Sequence, residues 1–158
     1  MTDARFEDAD EGPLHLVARD ADDLTVISAL VQDAVLPVTE MTWAKRNRRF
    51  VCLVNRFRWE DRPAAEAAGR VYERVRALLV VDDVTAVRVS GVDRSDPDLV
   101  LSVLALAFEP GQDGTGRLIL TLAGDGAIAV DVEALEVSLK DVTRPYAAPS
   151  RKMPDHGA

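Results

Sequence analysis

Short runs of valine-rich, alternating sequence, separated by turn segments, fill most of the chain beyond Arg70. Apolar and polar residues that alternate with a period of two are typical of strands with one buried face. The segments between the runs are rich in aspartate, proline and glycine, which suit tight turns. The runs cover residues 74–81, 85–91, 99–108, 117–123 and 127–140, the last with a break near Ala134. This part of the chain is predicted to form antiparallel hairpins.

Three further strands are predicted before Arg70. One covers residues 14–18, and two lie between residues 38 and 59, joined by a polar turn at residues 44–48. Residues 50–54 are too uniformly apolar for a half-exposed strand, so we expect that strand to be central. A loop with one helical turn is expected between Pro63, which suits a first helical position, and Gly69, which suits a stop.

A single N-terminal helix is predicted from capping and periodicity. Asp20 stands at the N-cap position, with Asp23 completing a capping-box-like arrangement. Apolar residues then recur three and four positions apart, which indicates one amphipathic face. This stripe consists of Leu24, Ile27, Leu30, Val31 and Ala34. Pro37 prevents the helix from continuing.

These patterns together predict an α+β, mostly β fold. About eight or nine short antiparallel strands must protect their edges, either by curling into a barrel or by packing one face on the helix. We favour a curved or barrel-like sheet. The length of 158 residues suits one domain, which we place at residues 14–142. Residues 1–13, which are acidic, are predicted to be a mobile tail, and the proline-containing residues 143–158 a second tail.

Composition and charge narrow the function classes. The net charge of −8 disfavours general binding to nucleic acid or anionic membranes. A membrane-spanning helix needs about 20 apolar residues in a row, and no apolar run in the sequence approaches that length. The acidic N-terminus lacks the basic start of an export signal. Cys52 is the only cysteine, so an intrachain disulfide is impossible and a reducing compartment fits best. We therefore expect a cytoplasmic protein without membrane contact.

Several segments, taken in order, resemble a bacterial and mainly alphaproteobacterial family known as domain of unknown function 2948. The matching stretches are residues 18–29, 32–34, 49–50, 55–60, 91–96 and 108–111. The resemblance spans most of residues 14–142, leaving both predicted tails outside. The resemblance implies a small bacterial protein, and it implies no particular activity.

No catalytic constellation emerges from the residue types and their spacing. His15 falls in a predicted strand and His156 in a tail, while Cys52 alternates with apolar neighbours and is expected to pack in the core. The aspartates of residues 93–98 have the wrong spacing for an EF-hand, so a capped turn is expected there. The glycine-containing loops lack the lysine and helix start of a phosphate-binding loop. We expect no metal or cofactor and favour a protein that is not an enzyme, with a small enzyme built from separate loops as the alternative.

The strongest functional signal is a basic stretch between Glu40 and Glu60. Six basic residues there, without an acid among them, leave −14 on the rest of the chain. Arginine offers planar donors to anions, and nearby aromatic rings can stack on ligands. The candidate binding residues are Lys45, Arg46, Arg48, Arg49, Asn55, Arg56, Arg58 and Trp59. The predicted partner is an acidic protein or a second copy of this chain, with nucleic acid or a nucleotide less favoured because the remaining charge is repulsive.

A structural explanation of the same stretch stays open. In that interpretation the residues around Lys45 form a solvated hairpin tip, and the aromatics at the strand end belong to the core. Arg56 and Arg58 then pair with acids, the candidates being Glu40, Glu60 and Asp61.

Overall fold

The computed structural model describes residues 12–148 and the backbone of Thr2 and Asp3. Within these residues the chain forms twelve strands and two α-helices. The strands are β1 (Thr2–Asp3), β2 (His15–Ala18), β3 (Val35–Pro37), β4 (Met41–Ala44), β5 (Arg49–Phe57), β6 (Glu73–Val81), β7 (Val84–Ser90), β8 (Val100–Pro110), β9 (Gly116–Leu122), β10 (Ala127–Val132), β11 (Val137–Asp141) and β12 (Tyr146–Ala147). The helices are α1 (Ala21–Leu30) and α2 (Arg62–Ala68).

All twelve strands belong to one hydrogen-bonded sheet. The main path runs β1-β2-β11-β6-β5-β3-β8-β9-β10-β7, while β4 pairs with β5 and β12 with β6. Every pairing is antiparallel except the parallel pair of β1 and β2. The mostly β, antiparallel prediction is therefore confirmed.

The sheet curves but does not close. Helix α1 contacts β2 and β11 near one end of the path and β8 beyond its centre, so the sheet bends around the helix. Among the described residues, no hydrogen bonds join β1 to β7, the two ends of the path. Barrel closure is thus not observed.

The strand count is higher than predicted, and the reason is local. The break near Ala134 separates β10 from β11, as the sequence indicates, but β1, β3 and β12 contain only two or three residues. Strands of that length have no alternation of their own, because a period of two needs several residues to be recognised. Their pairing is decided by their neighbours in the sheet.

Helix α1 begins as predicted and ends earlier. The Asp20 side chain accepts a hydrogen bond of 2.7 Å from the Asp23 backbone N–H, which confirms the cap. The helix ends at Leu30, before Pro37, and Asp33 adopts a left-handed conformation with φ 63°. The predicted stripe is buried, from Leu24 to Ala34.

The helix is not clearly amphipathic, contrary to the prediction. Val26, outside the predicted stripe, packs against the core, and Ala29 is half-buried. A helix enclosed by a curved sheet is covered on more than one side, so apolar residues are useful beyond a single stripe.

The segment before Gly69 also differs from the prediction. The predicted single helical turn is the seven-residue helix α2, which is followed by Gly69 with a left-handed φ of 65°.

Strand β5 is central, as its apolar sequence predicts. It pairs with β6 along residues 50–57, and on its other side with β4 and β3. The turn before it is confirmed: Lys45–Asn47 form a short 3-10 helix, and Arg48 takes a left-handed φ of 53°.

The segment predicted as a C-terminal tail starts with ordered contacts. Beyond Asp141, β12 pairs with β6, and Ala148 is buried. The rest of that predicted tail, residues 149–158, and nearly all of the N-terminal one, lie outside the described residues.

Burial of Cys52 predicts an alkaline loss of stability. The thiol is 1% exposed in the core, and burial raises its pKa from 9.0 to about 12. Above pH 9 the unfolded thiol loses its proton while the folded one keeps it, so the folded state is destabilised as the pH rises. At pH 10 this difference amounts to about 1.4 kcal/mol.

The measurement is urea unfolding of wild type and Cys52→Val between pH 7 and pH 10. Lysines and tyrosines titrate in both proteins and cancel in the difference. We expect the wild type to lose stability relative to the variant only above pH 9. Parallel curves for the two proteins would contradict a buried, neutral thiol.

Candidate functional site

The basic stretch predicted to bind a partner is divided by the fold into an exposed part and an interior part. The exposed part is the tip of the β4–β5 hairpin, residues 45–49. There Arg48 pairs with Glu133 at 2.7 Å and Arg49 with Asp82 at 2.7 Å. Lys45 and Arg46 are exposed, and neither forms an ion pair within the described part of the chain. The hairpin tip thus presents two cations that are not neutralised.

Arg56 lies in the interior and not at the surface. Its side chain is 0% exposed and forms bidentate pairs with both Glu60 and Asp141. The four hydrogen bonds measure 2.7–3.1 Å, and Asp141 also accepts one from the Leu14 backbone N–H. Burial acts to lower the pKa of Arg56, but the hydrogen bonds and charges of Glu60 and Asp141 outweigh it and raise that pKa. We call Arg56, Glu60 and Asp141 the buried arginine cluster.

Arg58 extends this cluster toward the surface. Its side chain is 10% exposed and pairs with Glu73, with Glu60 at 3.8 Å and with Asp61 at 3.7 Å. A hydrogen bond from the Arg70 guanidinium, together with nearby positive charge, lowers the pKa of Asp61. The pairing of Arg56 and Arg58 with Glu60 and Asp61 confirms the structural explanation of these two arginines, although Glu40 has no part in it.

The remaining predicted site residues take part in the fold. The Trp59 indole N–H donates to the Gln32 carbonyl at 2.9 Å, and the Trp59 ring stacks edge-on against the fully buried Phe57. Asn55 accepts a hydrogen bond of 2.6 Å from Arg74 on β6. Asn55 lies on the outer face of β5, whereas Trp59 lies beyond the end of that strand, so the fold does not bring the eight predicted residues into one site.

Three basic residues that sequence reasoning missed share the outer face with Asn55. Arg74 and Arg76 stand at outward positions of β6, and Lys140 at an outward position of β11. The alternation of both strands could have predicted their outward position, because each of these basic residues alternates along its strand with the buried apolar residues. What the sequence does not contain is the pairing of β6 with β5 and β11, which places these residues side by side.

The other candidate sites show no catalytic arrangement among the described residues. A cavity of about 240 Å³ lies beside the buried arginine cluster, lined in part by Arg58, Asp141 and Arg144. Both oxygens of Asp141 already accept hydrogen bonds from Arg56 and Leu14, so that carboxylate is not available as a general base.

The aspartates at residues 93–98 form capped turns. Asp93 accepts from Ser95, and Asp96 accepts from the Asp98 backbone. Within residues 12–148, no three histidine, cysteine, aspartate or glutamate side chains come together as a metal site. Neither α-helix is long and apolar enough to cross a membrane in this same part of the chain.

Fold and site together define an open antiparallel β protein that encloses a helix and carries a partly neutralised basic hairpin. The model of one family, described as protein of unknown function (DUF2948), matches residues 14–156. The chain belongs to this family. The match also extends past residue 142, into the segment that the sequence interpretation left outside. No curated protein and no solved structure matches this chain.

Proposed function

We propose that this protein is an interaction module, not an enzyme, and that it binds an acidic protein partner through the hairpin tip. One observation carries the proposal. Of the six basic residues in the stretch, Arg48, Arg49, Arg56 and Arg58 are paired with acids, while Lys45 and Arg46 are exposed without an ion pair in the described residues.

The physical role of such charges is in the encounter between partners. An exposed charge at a hairpin tip contributes well under about 1 kcal/mol to folding. The same charge attracts an oppositely charged surface, and it orients that surface as the complex forms. In a chain of net charge −8, a basic tip selects partners that present acids at the point of contact.

The test starts from the partner itself. A photo-cross-linking amino acid at Asn47, which is exposed within the tip, is used in cells that produce the full chain, and the lysate is treated with nuclease. We expect a cross-linked protein whose contact segment is acidic, and the same residue introduced at Arg144 should not capture it. Products that disappear with nuclease would overturn the proposal in favour of nucleic acid.

Charge reversal then tests the role of the tip. Association of the captured protein is measured by stopped-flow with wild type, Lys45→Glu/Arg46→Glu and the single variants Arg46→Glu and Arg144→Glu. The double variant should associate about tenfold more slowly, with a flatter dependence on salt. Arg144 is the matched control, because it is exposed and lines the cavity beside Arg58, at the opposite end of β5. Unchanged rates for the tip variants would refute the proposed role.

A further inference from the structure

The outer face of strands β5 and β6 is apolar at its centre. The register pairs Val51 with Val80 and Leu53 with Leu78, all at outward positions and all half-buried. A groove of about 310 Å³ adjoins Leu53, and Val100, which is 58% exposed, lines its other side. An antiparallel sheet with one solvated face ordinarily carries polar residues at such positions.

No second layer covers this face in the described part of the chain. The residues that alternate with it, such as Cys52 and Leu79, point inward and share the core cluster with Ile27 of α1. The helix therefore packs on the inner side of the sheet. Continuous apolar surface on the outside of a folded chain marks an interaction site.

The charged residues at the outward strand positions around the apolar centre are all basic, while one acid, Glu40, lines the groove. At the outward positions of β5, β6 and β11, the charged residues are Arg49, Arg74, Arg76 and Lys140. Arg49 is neutralised by Asp82, and Arg74 donates to Asn55, but Arg76 and Lys140 form no ion pair with any described residue. The face is therefore basic and apolar in a chain whose net charge is −8.

We infer that this outer face is the docking surface for an extended, acidic segment of the partner protein that also carries apolar side chains. The inference rests on the proposed function and names the part of the partner that would be held. Arg49 is the last residue of the hairpin tip and the first residue of β5, so the tip and the outer face form one continuous surface.

Charge and shape select a protein segment over other anionic partners. Acids of the segment meet Arg76 and Lys140, while its apolar side chains enter the groove beside Leu53 and Val100. A groove accepts side chains, whereas a flat bilayer surface cannot enter it. A long polyanion or an anionic membrane also meets the repulsion of the net negative chain.

The first experiment uses three fluorescein-labelled peptides of twelve residues each with the full-length protein. One contains leucine, aspartate and glycine, the second has lysine for aspartate, and the third has serine for leucine. Fluorescence anisotropy should show binding of the first peptide and at least tenfold weaker binding of the other two. In methyl NMR spectra, the signals of Val51, Leu53, Leu78 and Val80 should shift, while those of the inward-facing Leu79 and Leu139 should not.

Variants then locate the site. Leu53→Thr/Leu78→Thr and Arg76→Glu should each weaken binding of the leucine–aspartate peptide at least tenfold, with thermal unfolding used to confirm that they fold. Leu104→Thr and Arg88→Glu serve as matched controls, since Leu104 is an exposed leucine on β8 and Arg88 an exposed arginine on β7, the strand at the far end of the sheet path. These controls should leave the affinity unchanged.

The outcomes separate this inference from the proposed function. The inference is overturned if the face variants bind the leucine–aspartate peptide as wild type does, or if the lysine peptide binds equally well. It is also overturned if the protein binds vesicles that contain anionic lipid but binds none of the three peptides. A slowed association of the captured protein with the tip variants would leave the proposed function standing in each of these cases. Binding that depends on the face variants, with no effect of the tip variants on association, would support the docking surface and refute the role of the tip.

Discussion

Replacing Arg56 with methionine should lower the free energy of unfolding by about 3–5 kcal/mol, the cost of breaking a buried ion pair by removing one partner. The side chains of Glu60 and Asp141 are 1% and 4% exposed, and both would lose their bidentate partner, which leaves only Arg58, 3.8 Å from Glu60, as a nearby cation among the described residues. Methionine fills much of the arginine volume, so the loss reports on charge and hydrogen bonding more than on a cavity. Urea unfolding followed by circular dichroism measures the effect.

Arg48→Met is the control for this prediction. Arg48 also pairs with a glutamate at 2.7 Å, but its side chain is 46% exposed, and such surface pairs are worth less than about 1 kcal/mol. Should Arg56→Met fail to fold, Arg56→Lys keeps one charge in the cluster and should be intermediate in stability. Equal effects of Arg56→Met and Arg48→Met would show that the cluster is not buried in solution.

The second large effect is expected at Ile27, where alanine should cost about 2–5 kcal/mol. Ile27 is 0% exposed in the middle of α1, and the helix packs against β8 and β2 in the sheet that curves around it. Removing its side chain leaves a cavity between helix and sheet that the surrounding strands can fill only in part. Thermal and urea unfolding should both report the loss.

Thr25→Ala provides the matched helix control. Thr25 is exposed in the same helix, and alanine has the higher helix propensity, so this variant should be within about 0.5 kcal/mol of wild type. Because alanine has the higher helix propensity at both positions, a loss confined to Ile27→Ala reports packing against the sheet. Equal effects of the two variants would contradict that packing.

The fold divides the basic stretch into buried arginines and an exposed tip, and this division separates the predictions about stability from those about binding. Sequence proximity puts Arg46 and Arg56 in one charged segment, but only the hairpin tip is available to a partner. The buried arginines are expected to affect stability, and the exposed tip and outer face are expected to affect binding. Variants at Arg56 therefore test the fold and should not be used to test the proposed function.

Local signals in the sequence predicted much of the secondary structure. The cap at Asp20, the turn at residues 44–48, the break near Ala134 and the central position of β5 all depend on neighbouring residues, and all are confirmed. The end of α1 was predicted less well. Its residues after Leu30 continue the apolar spacing, but they serve the core from a non-helical segment.

The sequence alone determined that the chain is a mostly β, antiparallel protein with a buried cysteine and an isolated basic segment. Only the tertiary structure decided which of those basic residues are at the surface. Arg56 is interior because β11 brings Asp141 to it across 85 positions of the chain, and because Glu60 follows one turn later. The outer face arises in the same way, since β5, β6 and β11 are far apart in the chain and only their pairing brings their outward residues together. Alternation determines which side of its own strand a residue occupies, but long-range pairing determines its neighbours and, through them, its charge environment.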